Sequence, residues 1–275
     1  MNQEFDSILS EWKTYVTDPK LSLVEKCLKL AQIIEYPDLD ITKEIEKISN
    51  LGFEVKNSII ESKNTTFKIS LLNEFIFNTC GFHGDSEDYY NPKNNFLNNV
   101  IDTKVGIPIT LSVLYSELGK HIGVNLRIIG FPSHVIVEAG EELILDPFNK
   151  GRKLSKNDLE EILYRNYGEG VELIPEYLNE ITNEQILIRI LRNLKSSYAE
   201  SYAYDKAMQC NMMILSISHE SSDEIRDIGI LEEKMKNYEK AITFLNRYLE
   251  LEPNAGDADY ILELIRNIRK IINHQ

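Results

Sequence analysis

The chain has 275 residues and a formal charge of -14, with 44 acidic residues against 30 lysines and arginines. Its hydrophobic content of 43% is enough for a full core and argues against an intrinsically disordered chain. The basic residues are scattered among the acids and form no cationic cluster of the kind that phosphate backbones require. No nucleic-acid partner is therefore expected.

Cys27, Cys80 and Cys210 are far apart and form no CxxC pair, a pattern that suits neither a disulfide framework nor a zinc site. Their apolar neighbours mark them as buried structural thiols in a reducing compartment. The opening Met-Asn-Gln-Glu-Phe-Asp has no basic stretch followed by an apolar one, so no secretory signal is expected. No apolar run approaches the ~18 residues of a membrane span. The expectation is a cytoplasmic protein with no membrane partner.

Helical spacing begins with Leu21, Val24, Leu28, Ala31 and Ile34, with Asp18 and Ser22 as candidate caps. Tyr36-Pro37-Asp38 stops that helix, and Asp40 is placed to cap the next from Ile41. A third helix is expected over 68–79, ending before Gly81. Residues 81–105 read as a long loop rich in turn chemistry and aromatics: Phe82, Tyr89, Tyr90 and Phe96. Ile109, Leu111, Leu114, Tyr115, Leu118 and Ile122 then form an apolar stripe. Pro108 suits the first turn of that helix, and Gly123 suits its stop. Three short strands are expected at 126–129, 134–137 and 142–145. Gly140 makes the turn before the third, and Asp146-Pro147-Phe148-Asn149 closes the set.

The remainder reads as helical and repeats. Tyr204-Asp205-Lys206-Ala207 recurs as Tyr238-Glu239-Lys240-Ala241, an offset of 34 residues, which is the tetratricopeptide period. Leu215 and Leu249, and Ile217 and Leu251, keep the same offset, and Pro253 ends the second unit. A final helix over 259–272 supplies a cap for what is only about two repeats.

The order of helix, His-bearing strand and Asp-bearing strand is that of Cys-His-Asp enzymes. A helix N-terminus lowers a thiol pKa, the His takes its proton, and the Asp fixes the His tautomer. Here His134 opens the second expected strand and Asp146 ends the third. Thr110 and Ser112, in the first turns of the helix, are hydroxyl candidates for the nucleophile; the plain alternative is local backbone bonding. Cys80 is weaker, because a helix C-terminus raises a thiol pKa. Tyr90, Asn95 and Asn149 are candidates to line a ligand pocket, and each also suits a turn. His83, His121, His219 and His274 make no metal set by spacing. There is no H-E-x-x-H, Walker A or G-x-G-x-x-G sequence, so no metal and no cofactor are expected.

Several runs, in order, resemble the bacterial SirB family of transglutaminase-like proteins. They are Glu35-Tyr36-Pro37-Asp38-Leu39-Asp40, Asn94-Asn95-Phe96-Leu97-Asn98-Asn99-Val100, Gly106-Ile107-Pro108-Ile109-Thr110-Leu111-Ser112, Gly130-Phe131-Pro132-Ser133-His134 and Asp146-Pro147-Phe148-Asn149. The resemblance implies a transglutaminase-like (papain-like) core followed by C-terminal tetratricopeptide repeats. Active transglutaminase cores carry Gly-x-Cys at the helix start. Laying Gly106 on that glycine puts Pro108, which has no nucleophile, on the cysteine.

The expected fold class is α+β and predominantly helical, with a small antiparallel sheet in the core and a repeat-like helical tail. The expected division is an N-terminal helical segment over 1–80 packed on the core, the core over 81–175, and the repeats over 182–275. The leading expectation for function is a non-catalytic, peptide- or protein-binding regulatory protein. The rival is a hydrolase or acyltransferase that uses His134 and Asp146 with a hydroxyl or a water.

Overall fold

A computed structural model describes residues 3–58, 64–140, 143–218 and 221–274 of the chain. In chain order the elements are α1 (Gln3–Thr17), α2 (Leu23–Ile34), α3 (Ile41–Ser58), α4 (Thr65–Asn73), β1 (His83–Gly84), α5 (Leu97–Thr103), β2 (Val105–Gly106) and α6 (Pro108–His121). There follow β3 (Leu126–Ile129), β4 (Ile136–Ala139), β5 (Leu143–Asp146), β6 (Arg152–Lys153), α7 (Lys156–Tyr167), α8 (Asn183–Glu200), α9 (Tyr204–Ile217), α10 (Ser222–Lys234), α11 (Tyr238–Leu251) and α12 (Ala258–Asn273). The fold is α+β and mostly helical, as the sequence pattern indicates. The chain forms two compact units, residues 19–190 and residues 1–18 with 191–275. The boundaries expected from sequence fall instead at 80 and between 175 and 182. They differ because α1 packs on α9, where Trp12 is fully buried and its indole N–H donates to Met213 O at 3.2 Å.

In residues 19–190 the structure is assembled around α6. Pro108 to Ser116, Leu118 and Gly119 are all buried, and polar groups reach the surface only in the last turns, where Lys120 pairs with Glu117. α2, α3, α4, α5, β3 and β4 all pack against it. β3, β4, β5 and β6 form an antiparallel meander in that order, with Leu126 opposite Ala139, Val137 opposite Leu145 and Asp146 opposite Arg152. Arg127 and Glu138 are direct cross-strand partners and form an ion pair. Leu159 and Leu163 of α7 close a second cluster with Ile129, Phe131, Ile136 and Leu154.

Local chemistry sets the element ends. Ser22 caps α2 by a reciprocal box with Glu25, and Asp40 accepts from Lys43 N at the start of α3. The helix expected over 68–79 is instead α4 followed by a π-helical turn, Glu74–Thr79, in which Cys80 N reaches Phe75 O. At its start the Asn73 side chain donates to Gly151 O and accepts from the Tyr115 hydroxyl at 2.6 Å. The expected loop 81–105 in fact holds β1, a 3-10 turn Pro92–Asn95, α5 and β2. Two-residue strands carry no periodic signal, and the Asn-rich α5 is held by burial of Leu97, Val100 and Ile101 rather than by propensity. The second strand begins at Ile136, so His134 lies in the turn before it: His134 N bonds Phe131 O at 3.0 Å. Glu142, expected to start the third strand, lies outside the described residues, and that strand is described from Leu143.

In residues 191–275 the 34-residue offset is conformational as well as sequential. Tyr202 and Lys236 both adopt left-handed φ, 62° and 63°. Ala203 N bonds Tyr198 O, and Asn237 N bonds Glu232 O, each at 2.8 Å. Ala207 and Ala241 are both fully buried one turn into α9 and α11. α12 covers the second repeat through Ile261, Ile265 and Ile268.

Candidate functional site

The structure brings His134 and Asp146 together. His134 Nε2 lies 3.0 Å from Asp146 Oδ2, with Asp146 almost fully buried and His134 largely so. The other carboxylate oxygen, Oδ1, accepts from Phe148 N and Asn149 N, because Asp146 also caps the 3-10 turn Pro147–Asn149. Asn149 Nδ2 donates to Oδ2 at 2.7 Å. Burial alone would raise this carboxyl, but the His134 ring and the Asn149 amides outweigh burial and hold it below the usual carboxylate range.

That sign fixes a pH dependence. A carboxyl depressed in the folded state stabilises the fold above its unfolded pKa of about 3.9. The stabilisation is lost as pH falls through the lower, folded value. Thermal melts of the parent and of Asp146→Asn between pH 6 and pH 3 are expected to converge as pH falls, with the parent losing more.

Phe148 stands edge-on to both His134, at 6.2 Å, and Tyr89, at 6.0 Å. Gly84 makes room for it: a Cβ there would lie 2.5 Å from the Phe148 ring. Gly84 is also the register partner of Gly106, two residues before α6. A cavity of about 550 Å3 opens here, lined by His83, Gly84, Phe148, Asn149, Lys150 and Arg152. His83, which sequence spacing set aside, is thus a lining residue.

The other candidates fall elsewhere. The Thr110 hydroxyl accepts from Ile107 N at 3.1 Å and donates to Asn94 O at 2.9 Å, which is helix-start backbone bonding. Ser112 is fully buried, and its hydroxyl has no hydrogen-bond partner among the described residues. Neither hydroxyl bonds His134. Asn149 adjoins the pair and the cavity. Tyr90 is exposed and edge-on to Tyr89. Asn95 is buried, and its Oδ1 has no hydrogen-bond partner among the described residues.

Cys80 is half-buried, and burial pushes its thiol pKa up. His121 stacks over Gly52, where a Cβ would lie 2.4 Å from the ring, so its role is packing between α3 and α6. His274 sits at the exposed end of α12, and His219 lies outside the described residues. Among the described residues no three His, Cys, Asp or Glu side chains group to hold a metal ion. No helix among them is long and apolar enough to cross a membrane.

Residues 42–192, more than half of the chain, match the family model described as transglutaminase-like superfamily, and residues 194–266 match a tetratricopeptide repeat model. A UPF0162 protein of Xylella fastidiosa is 30% identical over 262 residues, covering 92% of this chain and 93% of that protein. Protein SirB1 of Salmonella typhimurium is 25% identical over 246 residues, covering 88% of each. The UPF0162 protein YchA of Escherichia coli is 24% identical over 238 residues, covering 85% and 87%. By these matches the chain belongs to the transglutaminase-like superfamily, in the SirB-like family that carries C-terminal tetratricopeptide repeats.

Proposed function

We propose that this is a non-catalytic transglutaminase-like protein that binds a peptide or protein partner. One observation carries the reading: the first residue of α6, where this fold would hold a nucleophile, is Pro108. The hydroxyl two residues on is spent on Asn94 O and Ile107 N, and among the described residues the His134 ring bonds Asp146 but no thiol or hydroxyl. Without a nucleophile, the pair acts as a structural clamp between the turn before β4 and the end of β5.

The partner surface is assigned to the repeats, which as a class mediate protein interactions. A cavity of about 840 Å3 opens there, lined by Phe5, Met208, Met212, Leu215, Ile228 and Phe244 among others. Met208, Met212 and Leu215 fall on one face of α9 at helical spacing. Flexible thioethers suit the apolar side of an incoming amphipathic segment. Three free thiols fit the cytoplasm as the compartment.

The enzyme reading keeps one supporting observation, the His134–Asp146 bond, and the two readings separate in a single experiment. The parent and His134→Ala are assayed on a panel of amides and esters, and melted in parallel. Neither is expected to turn over substrate. The variant is expected to lose about 1–3 kcal/mol, because Asp146 is left buried with only its amide donors. Turnover by the parent that the variant loses at unchanged stability would establish the enzyme. In a pull-down from native cytosol, a partner is expected with the parent and not with Met212→Asp; no specific partner for the parent would sink the binding reading.

A further inference from the structure

We propose that Arg189, beside His134, is the anchor of a carboxylate-binding site. Arg189 is half-buried, and one guanidinium N–H donates to Phe131 O at 3.1 Å. The same carbonyl accepts from His134 N at 3.0 Å, so the guanidinium lies directly behind the turn that presents His134. Gly130 allows the close approach: a Cβ there would lie 3.3 Å from Nη1 of Arg189.

What the guanidinium lacks is an acid. It carries five N–H donors, and among the described residues no carboxylate lies within ion-pair reach of it. The other half-buried arginines are paired, Arg127 with Glu138 and Arg226 with Asp223, Asp227 and Asp257. A half-buried cation without a counter-ion is costly, and in a chain with 44 acids it is an exception. Burial pushes the Arg189 pKa down, but guanidinium stays charged in proteins.

The surroundings are polar and aromatic, not acidic. The Tyr89 and Tyr167 phenols are the titratable groups that couple to it. Ser133 Oγ bonds the Tyr167 hydroxyl at 2.9 Å. Ser133 does so from a left-handed backbone, φ 57°, after Pro132, where a turn of this kind usually has glycine. A serine held there is strained, and the chain tolerates the strain while fixing a hydroxyl beside the site. Tyr89 and Tyr167 remain partly exposed, the composition of a binding hot spot.

A guanidinium that spends one N–H on Phe131 O, keeps its other donors and lies near two phenols matches a planar monoanion. A phosphate dianion is normally met by several cations or by a helix N-terminus. The ligand class is therefore a carboxylate, from a chain terminus or from an acidic side chain. The inference concerns the core unit and does not depend on the apolar cavity of the repeats.

The test uses the full chain, with the backbone amide resonances of Ser133 and His134 as the readout. The probes are N-acetylglycine, for a terminal carboxylate; N-acetylglutamic acid α-amide, for a side-chain carboxylate; neutral N-acetylglycinamide; and inorganic phosphate. One or both carboxylates are expected to give saturable shifts in the millimolar range, and the tighter one names the source. The neutral amide is expected to give none. Arg189→Gln is expected to abolish the response, and Arg189→Lys to weaken it about tenfold, since an ammonium lacks the fork. Tyr167→Phe is expected to weaken it a few-fold. An equal response to the neutral amide, an undiminished response in Arg189→Gln or tighter binding of phosphate overturns the proposal. If Arg189→Gln does not fold, the parent's acid-against-amide comparison and Arg189→Lys decide it.

Discussion

Replacing Lys195 with alanine is expected to destabilise the helical-repeat unit by about 3 kcal/mol, the low end of the cost of breaking a buried ion pair. Lys195 is buried in α8, and its ammonium bonds Glu224, Asp227 and Asn211. Glu224 is 1% exposed. Losing Lys195 leaves that carboxylate with Arg192, at 2.8 Å, as its remaining cation. Because Arg192 remains and Asp227 keeps Arg226, the cost stays below that of an orphaned charge.

The measurement has a built-in probe. Trp12 is the chain's one tryptophan and is buried in this unit, so its fluorescence in a urea titration follows this unit and not the core. A midpoint unchanged from the parent would mean that the network contributes nothing. Replacing the three buried members, with Lys195→Met, Asn211→Leu and Glu224→Leu together, is expected to recover most of the loss, because apolar isosteres commonly match a buried ion pair.

That network also shows where reading the sequence stops. At the 34-residue offset, Lys195 corresponds to Gly229 and Asn211 to Leu245. In the second repeat Gly229 lets Leu245 pack against the helix: a Cβ on it would lie 2.6 Å from Leu245 Cγ. In the first repeat the same two places hold a cation and an amide, and the contact is electrostatic. The offset itself was legible because tetratricopeptide units repeat small and apolar residues. The substitution of a polar pair was visible in the aligned positions, but its meaning depended on Glu224, which helical patterning assigns no partner.

The core was legible for similar local reasons. The Ser22–Glu25 box, the Asp40 cap and the glycine stop after α6 are chemistry written within four residues. The His134–Asp146 contact followed from the order of motifs. Its setting did not. Ser133 adopts a conformation that serine does not announce, which delays β4 by two residues and moves His134 into the turn. The attachment of α1 through Trp12 and Met213, and the lack of an acid beside Arg189 among the described residues, are long-range facts with no local signature. Burial of α6 on every face from Pro108 to Ser116 likewise exceeds the stripe that its periodicity suggests.

Pro108→Cys is expected to create a thiol that iodoacetamide alkylates at least about tenfold faster at pH 7 than Cys80 in the same chain. Proline at the first position of α6 uses only the tolerance of that site for a missing N–H, so cysteine is accommodated there. Two effects oppose each other at this position. Burial raises thiols in this protein: Cys27 and Cys210 are pushed up to about 12. The N-terminus of this fourteen-residue helix acts the other way.

The neighbours connect the two places. α6 starts two residues after Gly106, Gly106 pairs with Gly84, Gly84 lies against Phe148, and Phe148 stands edge-on to His134. If α6 still begins where a transglutaminase-like core holds its nucleophile, the dipole wins and His134 lies within reach of the thiol. The alkylation midpoint then falls below the ordinary thiol value of about 8.5, and adding His134→Ala moves it back up. A thiol slower than Cys80, or one indifferent to His134, would show that Pro108 does not stand in the nucleophile's place. The missing cysteine would then no longer argue that the site is silent.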